Sequence, residues 1–180
     1  MSEQLEALTD QQAAWIRQQH LFFVSTAPLA ESGRINCSPK GLDTFRIISP
    51  REVAYLDLTG SGVETIAHLQ ENGRIVLLFC AFEGPPKLLR IHGRGQVHLA
   101  GTEEFQRYQS SFQPMPGSRS VISVEVTHVS ESCGFGVPLH RYEGDRPTLT
   151  QWAEQKGEAG VQQYQAENNR HSIDGLIGLP

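Results

Sequence analysis

The stretch at residues 89–99 constrains the fold of this chain more tightly than any other. Its odd positions, Leu89, Ile91, Gly93, Gly95, Val97 and Leu99, are apolar or glycine, and its even positions, Arg90, His92, Arg94, Gln96 and His98, are polar. Strict alternation of this kind describes a β-strand with one face in a core and the other presenting cations and imidazoles. Residues 74–82 contrast with it. They are apolar throughout after Arg74, which predicts a central strand covered on both faces.

Further strands are predicted at residues 20–26, 35–38, 52–58 and 120–130, separated by Gly, Pro, Asn and Ser clusters. Helical patterns interrupt them. The first, at about 10–19, has a capping-box spacing at Thr9 and Gln12 and an apolar stripe at Trp15 and Ile16. A second covers 61–72, with a capping-box spacing at Ser61 and Glu64 and Gly73 at the stop position. A third covers 102–112, with Phe105, Tyr108 and Phe112 on one stripe. The last, 148–169, reads as two short helices broken near Gly157 and Gly160, and residues 172–180 should lie against a surface. No linker divides the chain, so residues 1–180 are expected to form one domain with a C-terminal helical tail at about 148–180. Short strands with few helices predict a mainly β fold, a closed or nearly closed antiparallel β-barrel with peripheral helices. A doubly wound parallel sheet needs a helix after nearly every strand, which this chain lacks.

Composition narrows the function. With 180 residues, 38% hydrophobic and 19% charged, the chain is ordinary globular protein. A net charge of −5 argues against bulk attraction to nucleic acid or anionic lipid, so a local basic patch should face a small anion. The longest apolar run, residues 75–82, is far short of a membrane helix, and the N-terminus lacks a signal-peptide pattern. Cys37, Cys80 and Cys133 are odd in number and widely spaced, which describes neither a disulfide framework nor a zinc site and suits the reducing cytoplasm. The histidines of residues 89–99 lack the pairing with carboxylates that a metal site would show.

Four places could carry chemistry. Thr59-Gly60-Ser61-Gly62-Val63-Glu64-Thr65 places glycines before a helix start, where unpaired amides attract an anion; it also suits a capped surface helix. Ser38-Pro39-Lys40-Gly41 ends a strand with a lysine that could meet that anion or simply be exposed at a turn, and Arg46 is a second possible cation. The face of Arg90, His92, Arg94, Gln96 and His98 suits an anionic ligand, a partner subunit or plain solvent. Ser132-Cys133-Gly134-Phe135-Gly136-Val137-Pro138 is an irregular turn that could lie against a flat ligand, with Cys133 a nucleophile or a packed free thiol.

Read in order, Asn36-Cys37-Ser38-Pro39-Lys40-Gly41-Leu42-Asp43-Thr44-Phe45-Arg46, Tyr55-Leu56-Asp57-Leu58-Thr59-Gly60-Ser61-Gly62-Val63-Glu64-Thr65, Leu89-Arg90-Ile91-His92-Gly93-Arg94-Gly95 and Ser132-Cys133-Gly134-Phe135-Gly136-Val137-Pro138 resemble the pyridoxamine 5′-phosphate oxidase-related, FMN-binding split-barrel family over about residues 20–138. The resemblance implies a six-stranded split barrel forming a homodimer, with FMN in a groove built by both subunits. It implies that Lys40, Ser61 and Thr65 surround the FMN phosphate, and that Ser38, Pro39 and Gly41 run along the flavin ring. It brings Arg90 to the cofactor and closes the turn of Cys133 and Gly134 over the site. Oxidases proper for pyridoxamine phosphate carry a basic C-terminal segment that grips the substrate; residues 168–180 do not match it. The expected function is therefore an FMN-dependent oxidoreductase of unassigned substrate, with catalytic residues unknown. The alternative, kept open by His92 and His98, is a non-catalytic flavin or haem carrier or sensor.

Overall fold

The computed structural model describes residues 6–180; the polar opening at 1–5, part of the stretch without a signal-peptide pattern, lies outside them. The chain opens with helix α1 (Asp10–Ile16), capped as its spacing predicts. The Thr9 hydroxyl accepts from the Gln12 amide at 3.2 Å, and the Gln12 side chain accepts from the Thr9 amide at 3.0 Å. Strands β1 (Phe22–Thr26), β2 (Asn36–Lys40), β3 (Phe45–Ser49) and β4 (Glu52–Leu58) precede helix α2 (Glu64–Asn72). Then come β5 (Arg74–Cys80), β6 (Leu88–Leu99), helix α3 (Glu103–Gln109), β7 (Ser118–Ser132) and helix α4 (Thr148–Asn168).

All strand pairs are antiparallel, in the order β2-β1-β5-β6-β7-β4-β3. The first and last strands of that order are consecutive in the chain. β2 ends at Lys40 and β3 begins at Phe45, so a turn of four residues joins the two outer edges of the sheet. Such a turn spans about 18 Å at most, and the sheet must therefore curl round on itself. β2 and β3 do not pair, which leaves the barrel split at this seam. Leu42 in the turn adopts φ 60°, in the left-handed region a leucine rarely enters.

The barrel interior is filled from every side by Phe22, Val24, Val53, Tyr55, Leu77, Phe79, Leu89, Ile91, Ile122 and Val124. Burying each such large side chain contributes about 1.5–3 kcal/mol. A second cluster lies outside the barrel, where Ala54, Leu56, Leu58 and Val121 meet Phe105, Tyr108 and Phe112 from α3 and the turn after it. Thus β4 is buried on both faces.

Three expectations change. The sheet has seven strands rather than six, because Phe45-Arg46-Ile47-Ile48-Ser49 pairs with β4 despite showing no period of two. β5 is central, yet Val76 and Leu78 on its outer face are only half-buried. α2 begins at Glu64 rather than Ser61. Val63 is its N-cap without a side-chain bond, and the Glu64 carboxylate instead accepts from the Ile173 amide at 3.2 Å, so the predicted Ser61–Glu64 capping box is absent. The C-terminal expectation holds: α4 kinks at Gly157 (φ 67°), and residues 169–179 fold back through a short antiparallel bridge between His171 and Ile177.

Candidate functional site

Alternation along β4 decides what lies at the seam. Val53 and Tyr55 point into the barrel, and two residues on Asp57 carries a fully buried carboxylate in the same direction. A lone buried charge would be prohibitive, and this one is paired on both oxygens. Lys40 Nζ, arriving from β2, donates to Oδ1 at 2.8 Å; Arg119 Nε, arriving from β7, donates to Oδ2 at 2.7 Å. Burial pushes the Asp57 carboxyl up, but Lys40 and Arg119 more than reverse this and lower it to about 2.

Beside this frame lies a cavity of about 250 Å³ lined by Asn36, Ser38, Lys40, Gly60, Ser61, Gly62, Thr65 and Arg119, among others. Its polar wall is ordered. Ser38 Oγ donates to Asn36 Oδ1 at 2.9 Å, and Asn36 Nδ2 donates to Thr65 Oγ1 at 3.0 Å and to Thr26 Oγ1 at 3.3 Å. Thr26 Oγ1 in turn bonds Nδ1 of the buried His68 at 3.0 Å. Burial pushes His68 below its ordinary value, and its Nε2 has no partner among the described residues. The Tyr55 hydroxyl, fully buried near Asp57, also has none there, and burial pushes it well above its ordinary value.

A second cavity, of about 790 Å³, adjoins the first through Lys40, Leu58 and Gly60. Pro39, Gly41, Leu42, Leu56, Leu58 and Trp152 make most of its wall apolar. His20 and Leu21 separate it from a third cavity of about 820 Å³ under Trp15, Phe82, Lys87 and His140, and His20 stacks on Tyr142 at 3.6 Å between ring centres. An anion-sized polar pocket opening onto a larger apolar one suits a ligand with a charged end and a flat apolar body.

Of the residues singled out in the sequence, Ser38, Lys40, Ser61 and Thr65 converge on the small cavity, and Pro39 and Gly41 line the large one. Arg90, Cys133 and Gly134 do not join them within one chain. Arg90 lies on the outer face of the sheet, in the row Pro39–Phe23–Leu78–Arg90, and donates to Ser132 Oγ at 3.2 Å. Cys133 is exposed, and Gly134, at φ 64°, packs so closely on the Lys87 backbone that a Cβ would lie 3.0 Å from its nitrogen. Arg46 is committed to Asp43, to the Ser111 carbonyl and to the Phe112 ring. His98 bonds Ser123 at 2.8 Å and stacks on Tyr108.

Sequence reading missed Asp57, Arg119 and Asn169. Asp57 could have been found, since the alternation that sends Tyr55 inward sends Asp57 inward too. Arg119 and Asn169 carry no local signal.

The family model for pyridoxamine 5′-phosphate oxidase matches residues 8–133, which span β1 to β7 and the whole Lys40–Asp57–Arg119 frame. The chain belongs to the pyridoxamine 5′-phosphate oxidase family. A relative named pyridoxamine 5′-phosphate oxidase family protein ustO, from Aspergillus flavus, is 40% identical over 191 aligned positions, covering 97% of this chain and 76% of the relative. Among solved structures, HupZ from Group A Streptococcus matches with a TM-score of 0.54 at 19% identity, over 74% of this chain and 99% of that one. A protein described as a putative pyridoxamine 5′-phosphate oxidase, from Lactobacillus delbrueckii, matches with a TM-score of 0.55 at 14% identity, over 72% and 98%. At those identities the structures share the fold, a mainly β split barrel. The tail beyond residue 133 lies outside the family match, although the Aspergillus relative is similar over nearly the whole chain.

Proposed function

We propose that this chain binds flavin mononucleotide and acts as an FMN-dependent oxidoreductase of unassigned substrate. The observation that carries the reading is the frame of Lys40 and Arg119 on the buried Asp57, whose two cations line a small polar cavity that opens onto a larger apolar one. Lys40 and Arg119 against Asp57 leave one net positive charge, and the start of α2 adds about half a charge more; the Glu64 carboxylate also lines the cavity and opposes an anion, so it must stay turned to the Ile173 amide. A phosphate monoester carries about −1.5 to −2. Lys40 uses one of its three protons on Asp57 and keeps two for a ligand. The Ser61 hydroxyl, freed by the late start of α2, and the Thr65 hydroxyl complete the cradle.

The protein's part is binding and orientation. Ser38, Lys40, Ser61 and Thr65 would hold the phosphate, while Pro39, Gly41, Leu42 and Trp152 would enclose the ring system and exclude water from it. When bound, FMN supplies hydride or electron transfer. Arg90 and the turn of Cys133 and Gly134 would reach the cofactor from a second copy of the chain, which makes the active form a homodimer. The half-buried outer row of Phe23 and Leu78 supports that arrangement. The three unpaired cysteines support a cytoplasmic setting. No helix among the described residues is long and apolar enough to cross a membrane. His92 and His98 lie six residues apart on one strand, about 20 Å, so the two of one chain could not ligate a single haem iron together.

A visible absorption spectrum tests the proposal. The purified protein, as isolated or after incubation with FMN, should be yellow, bleach with dithionite or a nicotinamide donor, and recover in air. A colourless protein that cannot be reconstituted with FMN would overturn it.

A further inference from the structure

The C-terminal segment closes back over the loop that lines the small cavity, and its contacts fall on that loop and on Arg119. Asn169, the residue that ends α4, is fully buried. Its Oδ1 accepts from Arg119 Nη1 at 2.8 Å, and its Nδ2 donates to the Gly60 carbonyl at 3.0 Å. The same Arg119 nitrogen donates to the Gly62 carbonyl at 2.9 Å. One turn earlier in α4, Gln165 Nε2 donates to Thr59 Oγ1 at 2.7 Å. The tail also packs tightly here: a Cβ on Gly178 would lie 2.6–2.7 Å from the Val63 methyls, so only glycine fits.

These bonds set the direction of an amide. In a trans peptide the C=O and the following N–H point opposite ways. Drawing the Gly60 carbonyl toward Asn169 therefore turns the Ser61 N–H away from Asn169, and Ser61 is itself a lining residue of the cavity. Asn169 also steadies Arg119, whose Nε holds Asp57 and, through it, Lys40. Both ends of one carboxamide thus act on the two sides of the pocket.

We propose that Asn169 is a positioning residue for the ligand phosphate: bridging Arg119 and the Gly60 carbonyl, it aims the Ser61 amide into the cavity and makes the C-terminal segment part of the cofactor site. This rests on the FMN reading and goes beyond it, since the tail lies outside the matched family region.

Binding of FMN and of riboflavin, which lacks the phosphate, separates positioning from simple support of the fold. Flavin fluorescence titrations would be run on the full-length wild type, Asn169→Ala and Gln165→Ala. Asn169→Ala should raise the Kd for FMN by about tenfold, the loss of a hydrogen bond to a charged ligand, and that for riboflavin by less than about twofold. Gln165→Ala, at a half-exposed position, should shift the same ratio in the same direction and decides the matter if Asn169→Ala does not fold. Unchanged FMN binding, or equal weakening of both flavins, would overturn the proposal. A wild type that binds riboflavin as tightly as FMN would instead remove the phosphate site on which it rests.

Discussion

Lys40 Nζ sits 2.8 Å from the Asp57 carboxylate, so the lysine that faces the cavity is already engaged by a buried anion. The pairing holds a flexible side chain in one place before any ligand arrives, and Lys40 lines both cavities with two ammonium protons not used on Asp57. Pre-ordering of this kind lowers the entropy lost on binding.

Replacing Lys40 with methionine keeps much of the stem's volume and removes the charge. The Kd for FMN should rise by at least about tenfold, the usual scale for losing a charge-assisted contact, while riboflavin binding changes little. The same variant should also lose stability, because Asp57 is left with Arg119 as its single cationic partner; losing one partner of a buried pair costs about 3–5 kcal/mol, and the partial exposure of Lys40 places it at the lower end. Titrations with the two flavins and a urea melt check both parts.

Acid should weaken the fold through the same carboxylate. Asp57 is lowered to about 2 from an ordinary 3.8, so the folded state prefers it ionised. Its contribution is fully present above the ordinary value and is lost as pH falls from there toward 2, amounting to about 2 kcal/mol. His68 acts at higher pH. Burial holds it neutral, so protonation of the unfolded chain costs stability once pH falls below its ordinary 6.5. Unfolding free energy measured from pH 7 to pH 2 should decline in two stages, and Asp57→Asn should flatten the lower one.

Gly95 tests the packing of α2 against the sheet. A Cβ built there lies 2.7 and 2.9 Å from the Leu69 methyls, so α2 rests directly on the strand backbone. Gly95→Ala should cost about 1–3 kcal/mol by overpacking. Because α2 also carries Thr65, the displacement should weaken FMN binding as well. A melt together with a flavin titration would show both effects; an unchanged melting temperature would mean that Leu69 can step aside.

Much of this fold is legible from residues 89–99, because alternating polarity specifies which face of a strand turns to the core. β3 is not legible, since Phe45-Arg46-Ile47-Ile48-Ser49 has no alternation and owes its pairing to β4. The site divides the same way. Lys40 and Ser61 stand in recognisable local settings, a strand end and a glycine-flanked helix start. Arg119 reaches Asp57 across 62 residues and Asn169 across 50, and such contacts leave no trace in local sequence. The failed capping box at Ser61 shows the converse: Glu64 has the right spacing, but a tail residue more than a hundred positions away takes its carboxylate.

The outer row of Pro39, Phe23, Leu78 and Arg90 leads to the last prediction. Phe23 and Leu78 are register partners on the face opposite the core and are only half-buried in a single chain. Apolar side chains on an outer sheet face gain by being covered, and a second copy would cover them while bringing its Arg90 toward the first copy's cavities. Sedimentation should therefore give a homodimer at micromolar concentration. Leu78→Glu places a charge in that face without touching the barrel interior, and should yield a folded monomer with a nearly unchanged circular dichroism spectrum. If the flavin site draws on both copies, the monomer should also release FMN. A Leu78→Glu monomer that keeps FMN at wild-type affinity would assign the whole site to one chain and leave Arg90 without a part in it.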